Sequence, residues 1–157
     1  MIARNWEIAI TQSNKWKGSG NTIVFTNGCY DLIHRGHIDL LAQARSKGDK
    51  LIVGLNSDQS VKKLKGLDRP IQNFDDRAFI LDSIKSVDMV VGFDEETPDK
   101  IIKKLLPNVL VKGGDYSLDN IIGADTVISN GGAVEIVDLV PDKSTSSLIN
   151  QIIQLKQ

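Results

Sequence analysis

Both histidines of the chain and its one cysteine fall in the stretch Thr26-Asn27-Gly28-Cys29-Tyr30-Asp31-Leu32-Ile33-His34-Arg35-Gly36-His37. His34 and His37 stand three apart, with Gly36 between them, where an apolar run gives way to helical periodicity. A helix starting at Gly36 or His37 aims free N–H groups, and the positive end of its dipole, at the place both imidazoles reach. Adding two imidazole N–H donors makes that place suit a polyphosphate. Gly36 lets a phosphate approach the backbone. Taken singly, each histidine reads as an ordinary surface residue near a helix start. A metal site is the other alternative, but no second cysteine or carboxylate pair completes one. Neither a Gly-x-Gly-x-x-Gly fingerprint nor a Walker A lysine loop is present.

Other stretches say less on their own. Lys62, Lys63 and Lys65 form a basic run of the kind that usually makes a solvated face. Arg77 reads as one half of a surface ion pair with Asp75 or Asp76. Lys112-Gly113-Gly114-Asp115-Tyr116 follows an apolar run. It makes a tight turn, or a place where a base or sugar lies against backbone beside a cation. Ser144-Thr145-Ser146-Ser147 precedes the last helical segment. One hydroxyl serves as its N-cap, and the others suit phosphate oxygens.

These residues need elements to hold them. Residues 3–16 read as an amphipathic helix with Trp6, Ile10 and Trp16 on one side, so 1–20 is expected to be a helical arm on a main domain of 21–157. Apolar runs at 22–26, 50–56, 88–93, 108–113 and 133–140 predict five strands. Helical patterns at 37–48, 59–65, 76–85, 97–106, 124–132 and 144–156 alternate with them. Gly48 is expected as a C-cap, Ser57 or Asp58 and Asp75 as N-caps, and Thr97 as an N-cap with Pro98 at the first helical position. The alternation predicts an α/β, Rossmann-like open sandwich: a mainly parallel five-stranded sheet with helices on both faces. Ligands of such sheets lie beyond the carboxyl ends of the strands. The loops after Thr26, Asn56, Val111 and Val140 are therefore the functional ones.

The chain has 157 residues, 41% apolar and 25% charged, with a formal net charge of −1. That is one domain able to bury its own core. It lacks the basic field of a non-specific nucleic-acid binder, so no nucleic-acid partner is expected. One cysteine makes no internal disulfide. No apolar run reaches the length of a membrane span, and the N-terminus has no signal-peptide pattern. A cytoplasmic protein without a membrane partner is expected.

The stretch "TNGCYDLIHRGHIDLL" resembles the first signature, His-x-Gly-His, of the cytidylyltransferase-like nucleotidyltransferases. Ser144-Thr145-Ser146-Ser147 resembles their Ser/Thr-rich turn. The likeness runs from about residue 22 to 155. Within that family "FTNGCYDLIHRGH", "LIVGLNSDQSVKKLKGLDRPI", "DDRAFILDSIKSVDMVV", "PNVLVKGGDY" and "STSSLI" are most similar to the adenylyltransferase domains that make ADP-heptose. In many bacteria that domain is fused to a sugar kinase, and the length here implies the stand-alone form.

The resemblance implies transfer of AMP from ATP to D-glycero-β-D-manno-heptose 1-phosphate for lipopolysaccharide core synthesis. It implies His34, His37 and Lys65 as catalytic. It implies nucleotide binding by Thr26, Asn27, Gly28, Tyr30, Gly36, Lys112, Gly113, Asp115, Ser144, Thr145 and Ser146. Asp31, Asn56, Arg69 and Arg77 are implied as substrate-binding, with Asp31 equally able to orient the loop. Mg2+ would come with ATP, and no residue is named as its ligand. A homo-oligomer is expected, with a dimer favoured. The chain departs from the family's basic turn residue, an arginine, by carrying Pro141-Asp142-Lys143, and the resemblance assigns no role to Lys143. Alternatives are a cytidylyltransferase acting on glycerol 3-phosphate or a related phospho-alcohol, guanylyl transfer to a heptose 1-phosphate, and a non-catalytic nucleotide-binding regulatory module.

Overall fold

The computed structural model describes residues 1–114, 117–141 and 143–155. In chain order the elements are β1 (Ile2–Ala3), α1 (Trp6–Gly18), β2 (Ile23–Gly28), α2 (Arg35–Arg45), β3 (Lys50–Asn56), α3 (Asp58–Lys65) and α4 (Phe74–Asp82). After them come β4 (Met89–Phe93), α5 (Asp99–Leu105), β5 (Val109–Gly113), a 3-10 turn (Leu118–Asn120), α6 (Ala124–Ser129), β6 (Ala133–Val137) and α7 (Thr145–Gln154). Among the described residues no helix is long and apolar enough to cross a membrane.

The strands form one parallel sheet in the order β1-β4-β3-β2-β5-β6. The sheet therefore has six strands where five were expected. The extra one is β1, two residues long, pairing Ile2 with Val90 and Ala3 with Val91. So short a strand leaves no alternation to read. It also draws residues 1–20 into the main body. Trp6 Nε1 donates to the Gly92 carbonyl at 2.8 Å, and Trp6, Ile10 and Trp16 pack against the core.

Successive strand residues feed opposite faces. Ile23, Phe25, Ile52 and Met89 meet α1, α5 and α6 through Ala9, Ile101, Leu105 and Val127. Val24, Leu51, Val53 and Val90 meet α2 and α4 through Leu41, Ala44 and Leu81. Because both faces are covered, the strands read as unbroken apolar runs.

The helix starts differ in detail from expectation. Ser57 caps α3 by accepting from the Ser60 N–H. Asn73, not Asp75, caps α4 by accepting from the Asp76 N–H, and Pro98, not Thr97, takes the N-cap position of α5 without a side-chain bond. Helix α2 starts at Arg35 and has Ser46 as its C-cap. Gly48 instead passes close to β2: a Cβ there would lie 2.7 Å from Val24 Cγ2.

Gly54, in the middle of β3, lets the Phe25 ring cross it, since a Cβ would come 2.6 Å from Phe25 Cζ. Phe25 is fully buried and cannot swing aside. Gly54→Ala is expected to cost about 1–3 kcal/mol of stability, read as a lower urea midpoint at unchanged m-value.

Candidate active site at the switch point of the sheet

The strand order places β3 on one side of β2 and β5 on the other. Strand β2 pairs with β3 as far as Gly28↔Leu55, but with β5 only at Val24↔Val109 and Phe25↔Leu110. Beyond Phe25 the sheet parts, and a cleft of ≈ 530 Å³ opens at the carboxyl ends. His34, His37, Lys65, Asn27, Gly28, Tyr30, Gly36, Lys112, Ser144, Thr145, Ser146, Asp31, Asn56 and Arg69 all line it. A recess of ≈ 170 Å³ shares part of this wall and adds Thr26 and Gly113. Asp115 lies outside the described residues. A larger hollow of ≈ 640 Å³ at the β1–β4 edge is lined by Arg4, Asp75, Asp94 and Glu95 around Trp6 and Phe74, and that acidic rim is a poor host for phosphate.

His34 is the N-cap of α2, with extended backbone (φ −138°, ψ 171°) and no capping bond from its side chain. Its ring is therefore free to stack on His37, with centroids 3.9 Å apart and planes 25° from parallel. Gly36 makes that stack possible, because a Cβ there would lie 3.0 Å from His34 Cε1. The Tyr30 ring also meets His37, with centroids 5.1 Å apart and planes tilted by 56°. Burial, and then the neighbouring His34 ring, push His37 down to about 4. Burial and the charge of Lys143 lower His34 as well. Near neutral pH both rings are uncharged, each with one N–H to donate, beside the unpaired first N–H groups of α2. Burial also pushes the Cys29 thiol up, which disfavours the thiolate.

Two expected substrate contacts turn out to hold the loops. Asp31 is buried, and its carboxylate accepts from Arg69 Nε at 2.5 Å, Ile71 N at 2.8 Å and Gln72 N at 3.0 Å. Burial alone would raise its pKa, but the Gln72 and Ile71 N–H groups and the Arg69 guanidinium outweigh it and hold the carboxyl low. Asp31 thus presents Arg69 to the cleft and keeps no free oxygen for substrate.

Arg77 lines neither the cleft nor the recess. It is fully buried and is not a surface partner of Asp75 or Asp76. Its guanidinium donates to Gln72 O at 3.0 Å, Cys29 O at 2.6 Å and Asp58 Oδ1 at 2.7 Å. It therefore ties together three segments that carry cleft residues. Arg77→Lys cannot reach all three acceptors, and a loss of about 3–5 kcal/mol in chemical denaturation is expected.

The remaining residues divide by what already occupies them. Asn56 Nδ2 donates to Ser60 Oγ at 2.9 Å. Of Lys62, Lys63 and Lys65, Lys65 is the one that lines the cleft. The Ser144 hydroxyl caps α7 by accepting from Ser147 N at 3.0 Å. Thr145 Oγ1 donates to the Leu32 carbonyl at 3.3 Å, tying α7 to the histidine loop. Ser146 makes no side-chain hydrogen bond among the described residues. The space a Cβ would take on Gly113 is filled by Leu40 and Leu139, so its missing side chain serves packing. Lys143, left without an assigned role in the sequence, joins the wall beside His34. Its place directly before the helix cap was the signal for it.

The sign of the His37 shift gives a pH test. The folded state resists protonating this ring, so His37 contributes stability that is present above about pH 6.5 and lost as pH falls through about 4. The drop in urea midpoint between those values is expected to be smaller in His37→Asn than in the wild type.

The cytidylyltransferase-like family profile matches residues 25–149. The bifunctional protein HldE of Azorhizobium caulinodans is 54% identical over 134 residues, which is 85% of this chain and 28% of that protein. HldE of Granulibacter bethesdensis is 48% identical over 96% of this chain and 31% of its own length. The chain thus spans under a third of these relatives. The crystal structure of the lipopolysaccharide core biosynthesis protein from Thermoplasma volcanium superposes with a TM-score of 0.61 at 26% identity, over 77% of this chain and 98% of that one. The pantoate-beta-alanine ligase of Francisella tularensis, solved with beta-gamma ATP and beta-alanine, shares the fold at 16% identity (TM-score 0.63; 100% of this chain, 79% of that one). With the profile, the parallel sheet and the histidine pair in agreement, the chain belongs to the cytidylyltransferase-like family of nucleotidyltransferases.

Proposed function

We propose that this chain transfers AMP from ATP to D-glycero-β-D-manno-heptose 1-phosphate, forming ADP-heptose and pyrophosphate for lipopolysaccharide core synthesis. The observation that carries the proposal is the stacked, uncharged His34–His37 pair at a helix start, in a cleft whose wall also carries Lys65, Arg69, Lys112, Lys143 and the Ser144, Thr145 and Ser146 side chains. The choice of base and acceptor rests on the sequence resemblance. The HldE relatives and the Thermoplasma volcanium core biosynthesis protein support it.

Such a reaction asks the protein for no nucleophile. An oxygen of the sugar 1-phosphate attacks the α-phosphorus, the bond from that phosphorus to the bridging oxygen breaks, and pyrophosphate leaves with the electron pair. Positioning and charge stabilisation supply the rate. In this reading His34 and His37 donate to the phosphate oxygens as charge builds on them. Ser146 and the first N–H groups of α7 receive the outer phosphates. Lys65 and Arg69, which also line the cleft, hold the acceptor phosphate. Asp31 is the one carboxylate on the cleft wall among the described residues, and its oxygens are already bonded. The wall therefore fits a magnesium ion carried by triphosphate oxygens rather than by protein ligands, where it would neutralise the phosphates.

Pyrophosphate release from ATP, CTP and GTP, each with heptose 1-phosphate or glycerol 3-phosphate, tests the reading. Turnover with ATP and heptose 1-phosphate is expected, falling about 10²–10³-fold in kcat for His34→Ala and for His37→Ala. Turnover confined to CTP with glycerol 3-phosphate would overturn the substrate assignment. Unchanged rates in both histidine variants would overturn the mechanism.

A further inference from the structure

Where the β2–β5 ladder stops at Phe25↔Leu110, one side-chain bond crosses the gap. Counting two residues on along each strand reaches Asn27 and Lys112, and Lys112 Nζ donates to Asn27 Oδ1 at 2.5 Å. Both residues line the cleft and its recess. An ammonium has three donors and no acceptor. It can face only the oxygen of an amide. The Asn27 flip is therefore set by chemistry, and the two Nδ2–H donors are turned away from Lys112 with no acceptor among the described residues. On the neighbouring strand Gly54 lies opposite Asn27 and leaves room for its side chain, since a Cβ there would come 3.2 Å from Asn27 Cβ.

We infer that Lys112 is a positioning residue: it holds the Asn27 amide so that Asn27 shows the cleft donors alone, making it part of the wall that selects phosphate oxygen. This rests on the nucleotidyl-transfer reading and deepens it. Without the lock the amide turns over freely, and half of its orientations set a carbonyl oxygen against an anionic ligand. The lock is also sensitive to protonation. Burial brings Lys112 down to about 8. A neutral amine carries a lone pair and can accept from Nδ2–H, which releases the amide. The other titratable groups on the recess are Cys29 and Tyr30 from the β2 loop and His37 from α2. Burial pushes the first two up and His37 down to about 4, so none of them changes charge near pH 8. The wider cleft adds Asp31, His34, Lys65, Arg69 and Lys143.

Titration calorimetry with Mg-ATP and no acceptor tests this on the whole chain. Wild-type affinity is expected to fall as pH rises from 7 to 9, and the affinity of Lys112→Met to be weak and flat over that range. Asn27→Asp is the decisive variant. Its carboxylate gives Lys112 an opposite charge, so its melting temperature should equal or exceed that of the wild type. It offers the ligand no donor, so ATP should bind about 10- to 100-fold more weakly at pH 7. An Asn27→Asp protein that binds ATP as tightly as the wild type overturns the inference, as does a wild-type affinity that is flat from pH 7 to 9. Because no acceptor is present, the result is separate from the proposed reaction. A wild type that binds ATP yet transfers nothing to heptose 1-phosphate refutes the acceptor and leaves this comparison standing.

Discussion

Strand β2 stays paired with β3 along its whole length and leaves β5 after two residue pairs. That divergence is the constraint on which the site depends. It follows from the order of the strands: the chain builds outward from β2 in one direction through β3 and β4, then returns to add β5 on the other side. The backbone groups at the end of β2 lose a strand partner at this point and must find other company. A crevice with polar backbone at its floor results. Helix α2 starts directly above it, and α7 closes it from the far side.

Into that crevice the chain places Lys65, Arg69, Lys112 and Lys143, although its formal net charge is −1. Cations are costly to desolvate, and burial lowers Lys112, His34 and His37, with the charge of Lys143 adding to the effect on His34 and the His34 ring to that on His37. Uncharged imidazoles add donors without adding charge. The site is thus assembled for an anion before the anion arrives, which is the condition under which fixed donors stabilise developing phosphate charge. Asp31 does not neutralise this field at the ligand, because its oxygens face Arg69 and the Ile71 and Gln72 amides.

What could be read from the sequence follows from how far each signal extends. Five strands have long apolar runs and were visible, while β1, with two residues on the sheet edge, was not. The histidine pair and the Ser144 cap were legible because spacing and element position act locally, whereas Lys65 was singled out from its neighbours by the family resemblance alone. Arg77 was misread for the opposite reason. Its partners at Cys29, Gln72 and Asp58 lie on three segments that only the tertiary fold brings together. Asp31 was half legible: its place in the motif showed that it mattered, but the amides that occupy it lie some forty positions downstream. Gly48 reads in the sequence as a helix cap and Gly113 as a ligand-facing residue, since the side chains that fill their Cβ positions are invisible there.

The residues that set the histidine geometry largely stand behind the cleft. Tyr30 adopts φ +46°, a left-handed conformation that costs a non-glycine residue about 1–2 kcal/mol. Its phenol ring is buried against His37 and beside Gly28, where a Cβ would lie 3.0 Å from Tyr30 Cε2. The peptides on either side are pinned by different elements. Arg77 holds the Cys29 carbonyl before Tyr30, and the loop amides of Ile71 and Gln72 hold Asp31 after it. Fixing both sides of one strained residue removes the freedom by which it would relax. The chain then leaves Tyr30 in a single direction and reaches His34 at the start of α2, and Thr145 reaches across to the Leu32 carbonyl between them. The spacing of the two imidazoles is therefore set by buried donors that need never meet the ligand, so a change at Arg77 or Asp31 reaches the phosphate site through the backbone rather than through a lost contact.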